Sequence, residues 1–141
     1  MRMAHVQTTL CINTTGQGLY EFSRDAIRFC GESNIRTGLL TVFCRHTSAS
    51  LTIQENADPD VIRDLNDFFK RIVSEDPSLY RHTAEGPDDM PAHIRSALTD
   101  VSLSIPVNDG KPMLGTWQGL YLFEHRTRPH QRSVVLHLSG D

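Results

Sequence analysis

Strand-like patterning closes this chain and helical patterning lies ahead of it, and that order constrains the fold more than any other feature. Residues 114–126 and 132–138 read as two long strands, joined around Pro129 and paired antiparallel. Near the start, residues 5–13 alternate. Val6, Thr8, Leu10 and Ile12 fall on one face, with Gln7, Thr9 and Asn13 on the other, the period of a half-buried strand. Gly16 and Gly18 mark a turn, after which Leu19, Phe22, Ala26, Phe29 and Cys30 recur at helical spacing up to a stop at Gly31.

The middle of the chain mixes both periods. Residues 37–47 carry apolar side chains on both faces (Leu39, Leu40, Val42, Phe43), as a central strand does, and the run continues to Ile53 with a bend at Ser48-Ala49-Ser50. Asp58-Pro59 is a helix start, with Asp58 as cap and Pro59 at the first helical position. Val61, Leu65, Phe68, Phe69 and Ile72 then form an amphipathic stripe to about Ser74. Residues 75–89 lack periodicity and hold Pro77, Gly86 and Pro87, a loop long enough to be functional or disordered. A short helix over 90–99 and a strand over 101–107 follow, the latter turning at Asn108-Asp109-Gly110. Helices early and long strands late predict an α+β fold: an antiparallel, β-rich sheet or sandwich with about three helices, one domain over residues 1–141.

Composition narrows the function classes. The net charge is −3 and no Lys/Arg block occurs, so the field that drives non-specific nucleic-acid binding is missing. Lys appears only at Lys70 and Lys111, so arginine, suited to bidentate recognition of carboxylate or phosphate, supplies nearly all of the 14 basic residues. Cys11, Cys30 and Cys44 are odd in number and widely spaced, which argues against a disulfide framework or a thiolate zinc site. No apolar run approaches the ~20 residues needed to span a bilayer, and the first residues do not read as a secretion signal. The expectation is a soluble, cytoplasmic protein.

Seven histidines are many for this length, and four are placed for chemistry. His46 closes an apolar strand, His82 lies in the long loop, His93 sits near the next helix start and His125 ends the longest apolar strand. Imidazole binds zinc and similar metals, and three such ligands leave a position for water or substrate. Each could equally be a surface or capping residue, since no HxH or HExxH spacing is present. Of the consecutive acids Asp88 and Asp89, one is expected to cap the helix and the other to serve as ligand, base or support for a histidine. Gly115-Thr116-Trp117-Gln118-Gly119 puts two glycines in a strand pattern, where backbone and ligand can approach closely. Ser48 and Ser50, upstream of Glu55 and the Asp58 helix start, fit either a phosphate cradle or a plain polar turn. Cys44, two residues before His46, offers a thiol alternative, although a Cys on an apolar strand commonly acts as a hydrophobe.

Taken in order, the segments 46–56, 85–94, 104–107, 114–118 and 124–126 resemble the YjbQ-like family across nearly the whole chain, with Gly115-Thr116-Trp117-Gln118 the most specific part. The resemblance implies a homotrimer and a secondary thiamine-phosphate synthase activity, joining an aminopyrimidine diphosphate to a thiazole phosphate with loss of pyrophosphate. It also implies a divalent metal, zinc or magnesium, at His46, His82, His93 and His125, with Glu55 and Asp88 in support. On that reading Arg126 or the metal holds the phosphates, and Ser48, Ser50, Thr116, Trp117 and Gln118 contact substrate. The alternatives are a metal-dependent hydrolase or lyase of a small phosphorylated metabolite, and a ligand-binding trimer without catalysis.

Overall fold

The computed structural model describes residues 2–141, which form two antiparallel sheets and three helices, an α+β fold. The strands are β1 (Ala4–Thr14), β2 (Gly18–Glu21), β3 (Gly38–Cys44), β4 (Ala49–Glu55), β5 (Ser102–Asn108), β6 (Lys111–Pro112), β7 (Gln118–Glu124) and β8 (His130–Gly140). The helices are α1 (Ser23–Glu32), α2 (Pro59–Ile72) and α3 (Asp89–Leu98), with a 3-10 turn at Pro77–Leu79. One sheet has the order β1-β8-β3-β5-β6 and the other the order β2-β7-β4.

Alternation decides which faces meet. Leu40 and Val42 of β3, Ile105 and Val107 of β5, and Val134, Leu136 and Leu138 of β8 point inward, against Ala49 and Leu51 of β4 and Leu120 and Leu122 of β7. At about 1.5–3 kcal/mol for each large apolar side chain buried, this packing between the sheets is the main cohesive term. Ala26 and Cys30 of α1 join the same core. Leu39 and Phe43, on the outer face of β3, stay exposed. β3 and β8 meet at Gly38 and Gly140. A Cβ on Gly38 would overlap the Ser139 carbonyl, and one on Gly140 the Thr37 carbonyl.

Three local expectations are corrected. Residues 19–21 extend β2 because Leu19 and Glu21 pair with Phe123 and Tyr121 of β7, and the helix begins only at Ser23. Here cross-strand pairing overrides a helical period. The bend expected near Ser48 is a change of sheet, since the chain leaves β3 at Cys44 and enters β4 at Ala49. The two closing strands do not pair with each other: β7 lies between β2 and β4, and β8 between β1 and β3. Both sheet changes, at residues 45–48 and 125–129, are met by hydrogen bonds from the α3 region. Among the described residues no helix is long and apolar enough to cross a membrane, and all three cysteines are free.

Candidate metal centre

α3 opens with Asp89, an acid in the first turn where the helix dipole favours negative charge. Four residues on, His93 lies on the same helical face. Asp89 Oδ2 is 3.2 Å from His93 Nε2 and 2.6 Å from His82 Nε2, the latter from the preceding loop. The three donor atoms fall within 4.8 Å of one another. On its other side the His93 ring has Nδ1 3.0 Å from the Thr47 carbonyl oxygen. A carbonyl only accepts, so Nδ1 carries the proton and a neutral His93 presents a bare Nε2 lone pair to a carboxylate oxygen. Two lone pairs so placed need a proton or a cation between them. The donor set of two imidazoles and one carboxylate suits zinc or another borderline divalent ion, whereas magnesium prefers oxygen ligands. Asp89 is buried, His93 half-buried and His82 exposed, so the cluster opens to solvent on one side.

Arg126 fixes this arrangement. Its Nη1 donates to Asp89 Oδ1 at 2.7 Å, its Nε to Asp88 Oδ2 at 2.9 Å and its Nη2 to the Glu85 carbonyl at 2.9 Å. The amide and hydroxyl of Thr127 also donate to Asp88 Oδ2. Burial alone would raise the Asp88 pKa, but the Arg126 bond and the Thr127 amide outweigh it and bring the carboxyl down to about 2. The Asp89 pKa is likewise lowered: burial opposes its charge, while the bond to His82, followed by Glu85, His93 and Arg126, together more than compensate. Asp88 therefore secures the helix start to the loop after β7 and leaves Asp89 to face the imidazoles.

Apart from Arg126, the remaining sequence candidates lie elsewhere. The four histidines do not converge. His46 Nε2 accepts from the Ser133 amide at 2.8 Å, which commits its lone pair, and burial lowers its pKa. His125 is fully buried, its ring 4.4 Å from Phe123 and its Nε2 2.8 Å from Ser50 Oγ. Burial, reinforced by Arg95, lowers its pKa to about 3. Ser50 is thus a core residue, and Ser48 Oγ accepts from Arg132 at 3.0 Å, so neither builds a phosphate cradle. Asp58 does cap α2, accepting from the Asp60 amide. Glu55 ends β4 opposite Gln118, and Gln118 Oε1 accepts from the Gly115 amide. These residues, with Thr116 and the exposed Trp117, mark the far end of β7, roughly 20 Å along the strand from His125 at ~3.4 Å per residue. Arg126 is committed to two carboxylates and so is not a phosphate clamp. Cys44 is buried, with its thiol pKa raised by desolvation, as an inert hydrophobe would be.

Two features went unread in the sequence. The residues leave the roles of Asp88 and Asp89 open and the resemblance implies Asp88, whereas the i, i+4 spacing of Asp89 and His93 points to the second acid. The buried Glu124–Arg132 pair was missed altogether. Arg132 Nε donates to Glu124 Oε1 at 2.8 Å, Thr14 Oγ1 donates to the same oxygen at 2.6 Å, and the Glu124 carboxylate is fully buried. The signal was Arg132 itself, a charge in phase with the inward Val134, Leu136 and Leu138.

Fold and cluster together define an α+β protein whose candidate chemistry rests on two imidazoles and one carboxylate. The chain belongs to the YjbQ-like family: the profile described as "UPF0047 protein YjbQ-like" matches residues 8–141. A UPF0047 protein of Synechocystis is 57% identical over 96% of this chain and 92% of its own. The UPF0047 protein YjbQ of Salmonella typhimurium is 40% identical over 96% and 98%. A crystal structure of a YjbQ/UPF0047 protein from Clostridium acetobutylicum, 33% identical, superposes with a TM-score of 0.79 over 92% of this chain and 97% of that one. A Sulfolobus solfataricus structure, 20% identical, shares the fold with a TM-score of 0.91 over 99% and 100%.

These comparisons overturn the thiamine-phosphate synthase activity that the resemblance had implied. The relatives bear only the family designation, the Sulfolobus protein is described as of unknown function, and none is named for that reaction. The residues assigned to it are also dispersed, as described above.

Proposed function

We propose that this chain is a metal-dependent enzyme of the hydrolase or lyase type, acting on a small phosphorylated metabolite at the His82–Asp89–His93 cluster. The observation that carries the reading is the shared orientation of both Nε2 atoms toward a single Asp89 oxygen. A zinc-type ion held there would supply Lewis-acid polarisation of a phosphoryl oxygen and lower the pKa of a bound water. The chain's own residues prepare the site. The Thr47 carbonyl fixes the His93 tautomer, Arg126 orients Asp89, and Asp88 anchors Arg126. A small hollow of about 180 Å³ beside His82, lined by Pro77, Tyr80, Thr83 and Met90 among others, can receive the organic part of a substrate. The exposed Leu39 and Phe43 on the outer sheet face support self-association, in keeping with a homotrimer. Three unpaired cysteines fit a reducing cytoplasm.

The test is elemental analysis of untagged protein, with phosphate release assayed across phosphorylated metabolites before and after chelation. His93→Ala and Asp89→Asn are expected to lose both bound metal and turnover. Unchanged metal content in both variants would sink the reading. Retained metal with no turnover, but with ligand-induced thermal stabilisation, would make the protein a binding trimer instead.

A further inference from the structure

On the side of α3 away from the metal cluster, a groove of about 520 Å³ is lined by Lys70, Arg71, Arg95, Ser74, Glu75 and Thr127, with Gln17 and Val73. Its deepest member is out of character. Arg95 is only 3% exposed, yet among the described residues no carboxylate oxygen lies within 4.0 Å of its guanidinium. Its Nε has no hydrogen-bond partner. Buried arginines are ordinarily paired, because an uncompensated charge out of water is costly. Among the described residues Lys70 and Arg71 also stand free of ion pairs, Arg71 lying 5.9 Å over the Phe68 ring.

We propose that this groove is an anion site that takes a phosphoryl group, with Arg95 as its central donor. Three cations against Glu75 leave an excess of two positive charges, which matches the roughly −1.5 to −2 of a phosphate monoester. A guanidinium presents planar, forked donors to such oxygens. Donor availability follows from the bonds already made. Gln17 gives one amide proton to the His125 carbonyl and keeps the second, whereas Thr127 commits its hydroxyl to Asp88. Ser74 Oγ accepts from the Asp76 amide, so its proton is free for a ligand. The volume falls in the range of ligand sites, roughly 300–1,000 Å³, and leaves room for an organic body beyond the phosphate. His93 and Arg95 are two residues apart on α3, about 200° around the axis, so the site is separate from the metal cluster and does not rest on the metal reading.

The experiment uses chelator-treated, phosphate-free protein, melted against inorganic phosphate and against glycerol phosphate, with chloride at matched ionic strength as control. Wild type is expected to gain a saturable rise in Tm that chloride does not reproduce. Arg95→Met is expected to abolish that rise and to melt higher than wild type without phosphate, because it removes an unpaired buried charge. The double variant K70A/R71A alters exposed side chains only and is expected to weaken phosphate binding at least tenfold. His93→Ala is expected to bind phosphate as wild type does. Tighter binding of glycerol phosphate identifies a phosphorylated organic ligand, and equal affinity identifies free phosphate. No saturable shift in wild type, an undiminished shift in either Arg95→Met or K70A/R71A, or a shift abolished by His93→Ala would overturn the proposal. The first result would leave a buried water as the partner of Arg95.

Discussion

Mild acid should destabilise this protein through a buried histidine that the fold keeps neutral. His125 is fully buried, and its Nδ1 has no partner among the described residues. The charged groups around it are Arg95 from α3, Arg132 from β8 and Glu124 at the end of β7; both arginines disfavour the imidazolium and Glu124 favours it. Burial is the largest influence and lowers the pKa from 6.5 to about 3. The unfolded chain therefore binds a proton as pH drops through 6.5, while the folded chain does not until about 3. Stability from this group is present above 6.5 and is lost progressively below it. At about pH 5 the gap of roughly 1.5 units, at about 1.36 kcal/mol per unit, comes to about 2 kcal/mol. The size of the folded-state shift hardly matters, provided that pKa lies well below 5. Urea unfolding of wild type and His125→Gln at about pH 7 and pH 5, in phosphate-free buffer, isolates the effect, because every other titrating group is common to both. Wild type should lose about 2 kcal/mol more than the variant over that interval. An equal loss in the two proteins would refute the reasoning, since it would mean that the imidazole ionises in the folded state.

Other perturbations have equally definite outcomes. Glu124→Gln leaves the Arg132 guanidinium buried without its carboxylate, and urea midpoints should report a loss of about 3–5 kcal/mol. Burial opposes the Glu124 charge, but Arg132 and Thr14 hold its pKa below the ordinary 4.5. That stabilisation is complete above 4.5 and disappears as pH falls below it, so the variant should lack this part of the acid transition. Gly38→Ala places a Cβ against the Ser139 carbonyl and should cost about 1–3 kcal/mol, read as a lower Tm. Asp58→Ala removes the acceptor for the Asp60 amide at the exposed start of α2 and should cost about 1 kcal/mol by the same measure.

Periodicity made most of the elements legible, because β1, β5 and β8 each keep one face in the core and α2 opens with a capped proline. What it could not supply was partnership. Residues 19–21 carry a helical spacing that their pairing with β7 overrides. The closing strands look like a hairpin from the turn at Pro129 alone, yet β7 is buried on both faces from Gly119 to Glu124 and needs β2 and β4 on either side. The His82–Asp89–His93 cluster was half legible, since His82 and His93 stand out as histidines in a polar stretch. His46 and His125 were grouped with them because residue type alone does not say which imidazole nitrogens are already engaged. Arg95 offered no sequence signal, since its lack of a direct ion pair depends on how the fold places the nearby Glu75.

The placement of β8 has a consequence for how the chain reaches this structure. β8 lies between β1 and β3, pairing with Ala4–Thr14 on one side and with Gly38–Cys44 on the other. During synthesis both neighbours leave the ribosome long before residues 130–140 do. The alternating β1 and the apolar β3 must therefore wait with their adjoining edges unpaired, exposed to one another and to other nascent chains. Assembly of the larger sheet is consequently a late, long-range event governed by loop closure over more than a hundred residues, and a slow step of this kind is where chaperone dependence would concentrate.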